Sequence, residues 1–477
     1  MEGPSDAPLH DVIIEVTNRI KEKVNSLPSK RSRHRICKVQ DNLRKVNEMT
    51  YEPVVVAIGP YHHGKAHLRK MEDLKLRCFQ SLLNRTNEAN ANSYDANRYA
   101  KVIREIAKKA RDFYEDPIDL DINDFVMMMV VDGCFIVELF IGFYKKIGQQ
   151  NNIKQLEQDA VDVILGRDWL LRSIQRDLLL CENQMPYFVL SKLFEMAVPE
   201  EENYPPFLAM LFFSVSLEDR AMMMDWSSII KDEGFETDFD HLLSMVYCYW
   251  CPSFATKKHS DGFLNIPQRR IFKFSATELQ EAGIKFMKNK SFEKNESLGG
   301  PVLVVTNRGG LESMTPPSEI KFSNGVLKIP RLTIDQNTES LFRNLLAYEQ
   351  QSLSFPFSYI ADYIGFMDIL IDTEKDVQIL RHSDIIQNGL GDDEAVCKMF
   401  NHFCKNLVLS RDSCYSQVLT SIHDHCKQRR HRWMANLRHN YFNSPWALIS
   451  FIAAAFVILL TAAQTVYAVL SYYNIYI

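Results

Sequence analysis

The chain has one pair of adjacent histidines, His62 and His63, which stand close to Lys65 in the segment HHGK. Imidazole groups serve acid–base chemistry and metal binding. Adjacent residues of an extended chain point to opposite sides, so the two rings do not easily serve one ion. We favour a structural turn at this position. The alternative is an enzyme of unrecognised type with a site near His62 and His63.

A second candidate is the C-x2-C pair formed by Cys248 and Cys251. Zinc is usually held by four ligands, and the further ligands would have to come from His259 or from the distant His423, His425 and Cys426. A redox pair of this spacing belongs in a βαβ unit, which this helical stretch does not predict. We therefore expect these cysteines to pack as small apolar residues, with no bound metal and no cofactor.

Sequence signals for other chemistry are absent. The chain contains no Gly-x-Ser-x-Gly elbow, no Gly-x4-Gly-Lys phosphate loop and no kinase motif set. Its net charge of −5 creates no overall field that would attract nucleic acid. We read the basic run from Lys30 to Arg35 as a solvated loop rather than a nucleic-acid or import signal. The sequence predicts a protein that is not an enzyme and that does not bind nucleic acid.

The elements around these residues predict a mainly α (α+β) fold, with a large helical head and a small inserted β subdomain. We divide the chain into an N-terminal extension at 1–35, an α-rich part of the head at 36–264, a small β-containing subdomain at 265–334, a helical part ending in a basic juxtamembrane helix at 335–440, a transmembrane anchor at 446–470 and a short non-cytosolic tail at 471–477.

Several local signals support this division. The run from Tyr51 to Tyr61 predicts a strand or an extended segment that enters a turn. Ser275 opens a helix with a capping-box pattern, and the pair Asn324-Gly325 predicts a hairpin. Asn183 has a residue type that suits the N-cap of the following helix.

The hydrophobic stretch from Phe125 to Phe143 predicts either a core helix or a membrane span. Two acids, Asp132 and Glu138, fall inside it. One acid at the centre of a span costs about 2.5–3.5 kcal/mol on insertion scales. We favour a core helix whose acids meet a polar partner or the surface.

The run from Trp446 to Leu470 holds 25 residues without a charge. As a helix it would be about 37 Å long, which is enough to cross a hydrocarbon core of about 30 Å. Aromatic residues stand near both ends, where such rings prefer the headgroup level. The residues that define the anchor are Trp446, Phe451, Phe456, Leu459, Leu460 and Tyr467. We favour this membrane anchor over a long buried helix.

A basic flank precedes the anchor and consists of Lys427, Arg429, Arg430, Arg432 and Arg438. Under the positive-inside rule it orients the head towards the cytosol, in the plasma membrane or an endomembrane. The N-terminal residues show no signal-peptide pattern. We expect two partners, the lipid bilayer and an unidentified protein. A weaker alternative is a lipid sensor that uses the basic flank to bind anionic lipid.

Sequence motifs spread along the chain resemble a plant-specific family, domain of unknown function 247. The matching pieces are LRKVN at 43–47 with YEP at 51–53, IGPYHHG at 58–64, DGCFIVEL at 132–139, ENQMPY at 182–187, SATEL at 275–279 with EAG at 281–283, and IPRL at 329–332. They occur in consistent order over about residues 36–470. One departure is Ala57, where the family usually has serine.

The resemblance implies a membrane-attached plant protein without an established activity. Some grass members of the family are linked to self-incompatibility between pollen and stigma. The resemblance thus suggests a non-enzymatic recognition, signalling or scaffold role for the cytosolic head, and recognition of the self-incompatibility type is the specific form that it implies.

Overall fold

A computed structural model describes residues 9–25, 36–89, 96–148, 160–198, 208–209, 212–213, 239–250, 274–289, 319–351, 358–403, 413–427 and 445–474. Over these residues the fold is mainly helical with two small sheets, which confirms the predicted fold class. Apolar side chains from Ile36 to Cys426 share one hydrophobic core.

The first half of the head is built from helices around one buried helix, α5. The helices are α1 (Leu9–Asn25), α2 (Asp41–Arg44), α3 (Arg69–Ala89), α4 (Ala96–Arg111), α5 (Ile122–Gly148), α6 (Ala160–Leu165), α7 (Asp168–Asp177) and α8 (Tyr187–Ala197). Short 3-10 turns cover Glu48–Thr50 and Ala66–Leu68. Helices α3, α4, α6 and α8 pack against α5.

Helix α5 contains the stretch that resembled a second membrane span. It is apolar around most of its circumference, as expected for a helix enclosed on all sides, and 89% of its most apolar part is buried within the head. Its two acids meet bases from α3: Asp132 pairs with Lys75 at 2.7 Å and Glu138 with Arg85 at 2.8 Å. This confirms the prediction of a core helix whose acids have polar partners.

The second half adds a helical layer and the strands. Its elements are α9 (Leu242–Trp250), α10 (Ala276–Glu281), β1 (Lys285–Lys288), β2 (Lys321–Ser323), β3 (Val326–Ile329), β4 (Leu332–Ile334), α11 (Thr338–Gln351), α12 (Tyr359–Leu370), α13 (Glu374–His382), β5 (Ile386–Asn388), α14 (Asp393–Phe403), α15 (Ser416–Lys427) and α16 (Pro445–Asn474).

The larger sheet has the strand order β1-β3-β2, with β1 parallel and β2 antiparallel to β3. Asn324 and Gly325 form the hairpin turn between β2 and β3, both with positive φ, as their types predicted. The second sheet pairs β4 with β5 in parallel, so this pairing crosses the predicted subdomain boundary at residue 334.

Side chains complete two helix N-termini in this layer. The hydroxyl of Ser275 accepts the N–H of Glu278 in the predicted capping box of α10. Glu349 of α11 accepts the N–H groups of Ile360 and Ala361, in the first turn of α12, at 2.8 and 2.9 Å. Burial raises the pKa of Glu349 to about 7.

Helix α15 ends at Lys427, the first residue of the basic flank. The ring of His425 packs edge-on against Phe322 of β2, with centroids 5.7 Å apart. The sequence predicts a long amphipathic helix that runs from about Ser413 into the anchor. Its two ends are described as α15 and α16, and residues 428–444 between them lie outside the described residues. The sequence also predicts strands at 270–274, where residues alternate, and at 302–306, and both lie outside the described residues except for Phe274. The apolar residues 207–217 predict a further core helix, of which Leu208, Ala209, Phe212 and Phe213 are described and are helical and buried.

Candidate functional site

The segment from Val54 to Lys65, which carries the histidine pair, runs through the head in extended and turn conformations. It forms no regular strand, so of the two predicted forms it adopts the extended one. Two long hydrogen bonds of 3.4 Å, from His63 N–H to the Pro60 carbonyl and from Lys65 N–H to the His62 carbonyl, form the predicted turn. His62 is buried and only 2% exposed, whereas His63 is half-buried.

The His62 ring lies between two carboxylates. Its Nδ1 is 3.7 Å from Glu52 Oε2 and its Nε2 is 3.9 Å from Glu182 Oε2. Both distances exceed that of a hydrogen bond, and neither ring nitrogen has a hydrogen-bond partner among the described residues. Arg44 bridges the same two carboxylates, and Lys65 pairs with Glu52.

The electrostatics of this cluster keep the His62 ring neutral. Burial lowers the pKa of His62 to about 4 and the cation of Lys65 acts in the same direction, while Glu52 acts in the opposite direction. At pH 7 the ring is therefore an uncharged group enclosed by ion pairs. A general base must reach its substrate directly or through one water, and a side chain that is 2% exposed is closed to a dissolved molecule in this conformation.

Asp177, at the end of α7, holds the segment before the histidines. Its carboxylate is fully buried and accepts the consecutive N–H groups of Val54, Val55 and Val56 at 2.7–3.1 Å. Arg176 pairs with the same carboxylate at 2.8 Å. Backbone donors that have no sheet partner are thus satisfied by one side chain.

Asn183 holds the next residues. Its amide oxygen accepts the N–H of Ile58 at 2.7 Å, and its amide nitrogen donates to the carbonyls of Val56 and Asp177 at 2.9 Å each. Our prediction of Asn183 as an N-cap is therefore wrong. Pro186 occupies the N-cap position of α8, and its side chain makes no capping hydrogen bond.

Asp132 of α5 and Lys75 of α3 complete the hold on the segment. Asp132 accepts the N–H of Gly59 at 2.9 Å, and Lys75 donates to the carbonyl of Ala57 at 2.6 Å. Burial lowers the pKa of Lys75, but Asp132 and Glu72 outweigh it, and the net pKa is raised. Lys75 therefore stays charged in a fully buried position.

The conformation and the surroundings of position 59 require a glycine in this motif. Its φ is +72°, and a Cβ on it would lie 2.4 Å from the carbonyl oxygen of Gln184. That carbonyl also accepts the hydroxyl of Tyr114 at 3.0 Å. A side chain at position 59 would meet a fixed backbone atom as well as an unfavourable conformation.

The motifs at 58–64, 132–139 and 182–187 thus meet in one buried polar network. The side chains of Lys75, Asp132, Asp177 and Asn183 form hydrogen bonds with the backbone of the extended segment, whereas the two ring nitrogens of His62 have no hydrogen-bond partner among the described residues. Sequence reasoning found His62 but missed Lys75, Asp177 and Glu182. A signal existed for Lys75, which occupies the apolar stripe of α3 together with Met71, Cys78 and Leu82.

The cysteine candidates do not form a metal centre within the described residues. Cys248 lies in α9, and burial raises its pKa to about 12, while Cys251 lies outside the described residues. In the part of the chain that the structure describes, no three His, Cys, Asp or Glu side chains come close enough together to hold a metal ion.

The predicted anchor residues lie in α16. Phe451, Phe456, Leu459, Leu460 and Tyr467 are each more than half exposed, and Trp446 belongs to the first turn. The stretch Ile449–Ser471 is long and apolar enough to cross a membrane, and none of its most apolar part is buried in the head. Of the basic flank, Lys427 ends α15, and Arg429, Arg430, Arg432 and Arg438 lie outside the described residues.

Comparison with known proteins gives a family without an assigned function. The family model DUF247, described as a plant protein of unknown function, matches residues 36–460. The UPF0481 protein At3g47200 of Arabidopsis thaliana is 30% identical over 459 residues, covering 92% of this chain and 87% of that protein. The putative UPF0481 protein At3g02645 of the same plant is 22% identical over 478 residues, covering 87% and 86%. No solved structure matches significantly.

Proposed function

This chain belongs to the DUF247 family of plant proteins of unknown function, and we propose that it is a non-enzymatic, tail-anchored recognition or scaffold protein. In this proposal α16 crosses a bilayer, the head lies in the cytosol, and the head binds a protein partner close to the membrane.

The exposure of α16 carries the proposal. A helix whose apolar side chains are more than half exposed would lose a large favourable free energy in water, at about 25 cal/mol per Å² of apolar surface. Phe456, Leu459 and Tyr467 are 65%, 68% and 79% exposed. A hydrocarbon core provides the environment that these side chains lack in the head.

The basic flank supports the orientation. Five basic residues precede α16 in the sequence between Lys427 and Arg438, and no charged residue follows Arg438. Basic residues remain on the cytosolic side of spans with short flanking loops. The head therefore faces the cytosol in this proposal, and the last residues lie on the other side.

The buried network supports a non-enzymatic head. Asp177, Asn183 and Lys75 form hydrogen bonds with the backbone of the extended segment and are buried, so they do not face a dissolved substrate. The alternative, an enzyme with a site near His62 and His63, would require the head to open around a ring that is 2% exposed.

A partner-binding surface is available along the outer side of α7. Trp169 is 64% exposed, whereas Arg176, seven residues later on the same side, is only 12% exposed and serves to hold Met49 beside this surface. Arg176 donates to the carbonyl of Met49 at 2.6 Å, and Met49 is itself 68% exposed. Tryptophan, methionine and arginine are enriched where proteins bind one another.

Membrane insertion is tested first. The full chain and a version ending at Asn440 would be expressed with an epitope tag at each end, and their microsomes extracted with alkaline carbonate. We expect the full chain to stay in the pellet, with its N-terminal tag digested by added protease and its C-terminal tag protected. Release of the full chain into the supernatant, or protection of the N-terminal tag, would overturn the proposal.

Recognition is tested with the full chain in native plant membranes. A photo-crosslinking residue would be placed at Trp169 and, as a matched control, at Leu76, which is 53% exposed on α3. We expect one reproducible partner from position 169 and none from position 76. No partner from either position, together with turnover of a small molecule that His62→Gln abolishes, would instead establish the enzyme alternative.

The specific form of the proposal comes from the family resemblance, which suggests recognition of the self-incompatibility type. A partner found in pollen or stigma membranes and absent from leaf membranes would support that form. A partner found in pollen, stigma and leaf membranes alike would support recognition in general and would contradict the self-incompatibility form of the proposal.

A further inference from the structure

Helix α1 has an exposed apolar stripe that the proposed function does not use. Ile13, Val16, Ile20 and Val24 are 50–57% exposed, and each is three or four residues from the next. At about 100° per residue they lie within roughly 80° of one another around the helix. Ile14, also exposed, lies outside this stripe.

The charged residues of α1 are sorted around that stripe. Arg19 and Lys23 border it on one side and Lys21 borders it on the other, each within roughly 60° of the nearest stripe residue. Glu15 and Glu22 lie on the opposite side of the helix. Arg19 pairs with Glu15 at 2.6 Å, and Lys21 and Lys23 are both exposed at the margins of the apolar stripe.

The sequence continues this basic character. Between Lys30 and Arg35, outside the described residues, it adds four further basic residues, Lys30, Arg31, Arg33 and Arg35. The chain as a whole carries a net charge of −5. In the sequence from residue 19 to residue 35, seven basic residues stand against one acid, Glu22, and this positive charge complements an anionic surface.

We propose that α1 lies in the plane of an anionic membrane surface, with its apolar stripe at the boundary between headgroups and acyl chains. Helices with an apolar stripe, basic margins and a polar outer face bind in this way. This inference rests on the proposed function, because α16 supplies the membrane. The family match begins at residue 36, so α1 is an addition to the matched region.

A second copy of α1 is a poorer occupant of the stripe. Two such helices packed along their stripes would bring Arg19 and Lys23 of one copy against basic residues of the other, because both margins are basic. Like charges at the margins of a helix pair are unfavourable. An anionic leaflet instead attracts both margins.

The test uses the full chain in lipid nanodiscs, with one copy per disc, read by hydrogen–deuterium exchange of α1 and α16. One disc contains phosphatidylcholine alone and the other adds about one-third phosphatidylserine, a negatively charged lipid. We expect α16 to be protected in both discs, and α1 to exchange at least tenfold more slowly in the anionic disc.

Two matched variants locate the contact. The extra protection of α1 is the factor by which it exchanges more slowly in the anionic disc than in the neutral one. Lys21→Gln with Lys23→Gln should reduce this factor about fivefold for each lysine removed, because one basic residue near such a surface contributes about 1 kcal/mol. Glu15→Gln with Glu22→Gln changes the same number of charges on the opposite face and should not reduce it.

The outcomes separate this inference from the proposed function. Protection of α16 without protection of α1 in either disc overturns the α1 contact alone. Protection of α1 that is equal in both discs and appears only with several copies per disc assigns the stripe to a second copy and also overturns it. Rapid exchange of α16 in both discs would contradict the anchor itself.

Discussion

Helices α5 and α16 are both long and apolar enough to cross a membrane, yet the head encloses one and leaves the other exposed. The buried share of the most apolar part is 89% for α5 and zero for α16. The two differ in their charges: α5 carries Asp132 and Glu138, which α3 neutralises, and α16 carries none. Two paired acids distinguish a core helix from a candidate span more clearly than average hydropathy does.

Removing a partner from α5 should have the largest effect. Lys75→Met leaves Asp132 buried without its counter-charge, and we expect the free energy of unfolding of the full chain in detergent to fall by about 3–5 kcal/mol. Denaturant titration measures this loss. Lys75→Met combined with Asp132→Asn removes the buried charge but keeps an acceptor for the Gly59 N–H, and it should recover part of the loss. A double variant as unstable as the single one would contradict the role of the ion pair.

Adding a charge to α16 should reduce its insertion into a membrane. Leu459→Arg places a cation near the middle of the helix, and we expect insertion into microsomes to become less favourable by about 3 kcal/mol. The inserted fraction, followed by modification of a C-terminal glycosylation acceptor, measures this change. Trp169→Arg on the surface of the head is the control, and equal losses from both would argue against a span.

Substitution of Gly59, whose N–H Asp132 of α5 accepts, should also lower the stability of the head strongly. Gly59→Ala introduces a Cβ against the Gln184 carbonyl at positive φ, and we expect a loss of about 3 kcal/mol in thermal unfolding. Gly64 also has positive φ, but a Cβ there meets nothing within 4 Å. Gly64→Ala should therefore lower the free energy of unfolding only by the cost of placing alanine at positive φ, about 1–2 kcal/mol. Equal losses for the two variants would show that the Gln184 carbonyl does not restrict position 59.

The stability of the head should depend on pH through His62, whereas α16 contains no Asp, Glu, His, Lys or Arg. The folded pKa of about 4 lies below the usual 6.5, so this group destabilises the head as pH falls from about 6.5 towards 4. Between pH 7 and 5 the expected loss is about 2 kcal/mol. Glu349, with its raised pKa of about 7, acts with the opposite sign over the same range.

Comparing variants separates these two groups. The difference in unfolding free energy between the unaltered chain and His62→Gln should change by about 2 kcal/mol between pH 7 and 5. The same difference for Glu349→Gln should change by a similar amount in the opposite direction. Parallel pH curves for the unaltered chain and His62→Gln would remove His62 as a titrating group.

Sequence patterns predicted those features that depend on neighbouring residues. The hairpin at Asn324 and the cap at Ser275 depend on partners a few residues away. The core position of α5 could be predicted because its two acids lie within one apolar stretch. Asn183 shows the limit: its type suits a helix cap, but it accepts the N–H of Ile58, 125 residues away. Such pairings depend on how the chain folds back, which residue types alone do not specify.

The long reach of these bonds also sets an order of events during synthesis. The N-terminal part of the head, after residue 36, receives hydrogen bonds from residues as late as Gln351, which donates to the carbonyl of Lys38. These contacts form only once the ribosome has passed that point. Helix α16 begins about 90 residues later, which at 5–20 residues per second is roughly 5–18 s. The contacts of the N-terminal part of the head therefore have time to form before α16 leaves the ribosome, whereas α15, which completes the core, ends at Lys427 and is made just before α16.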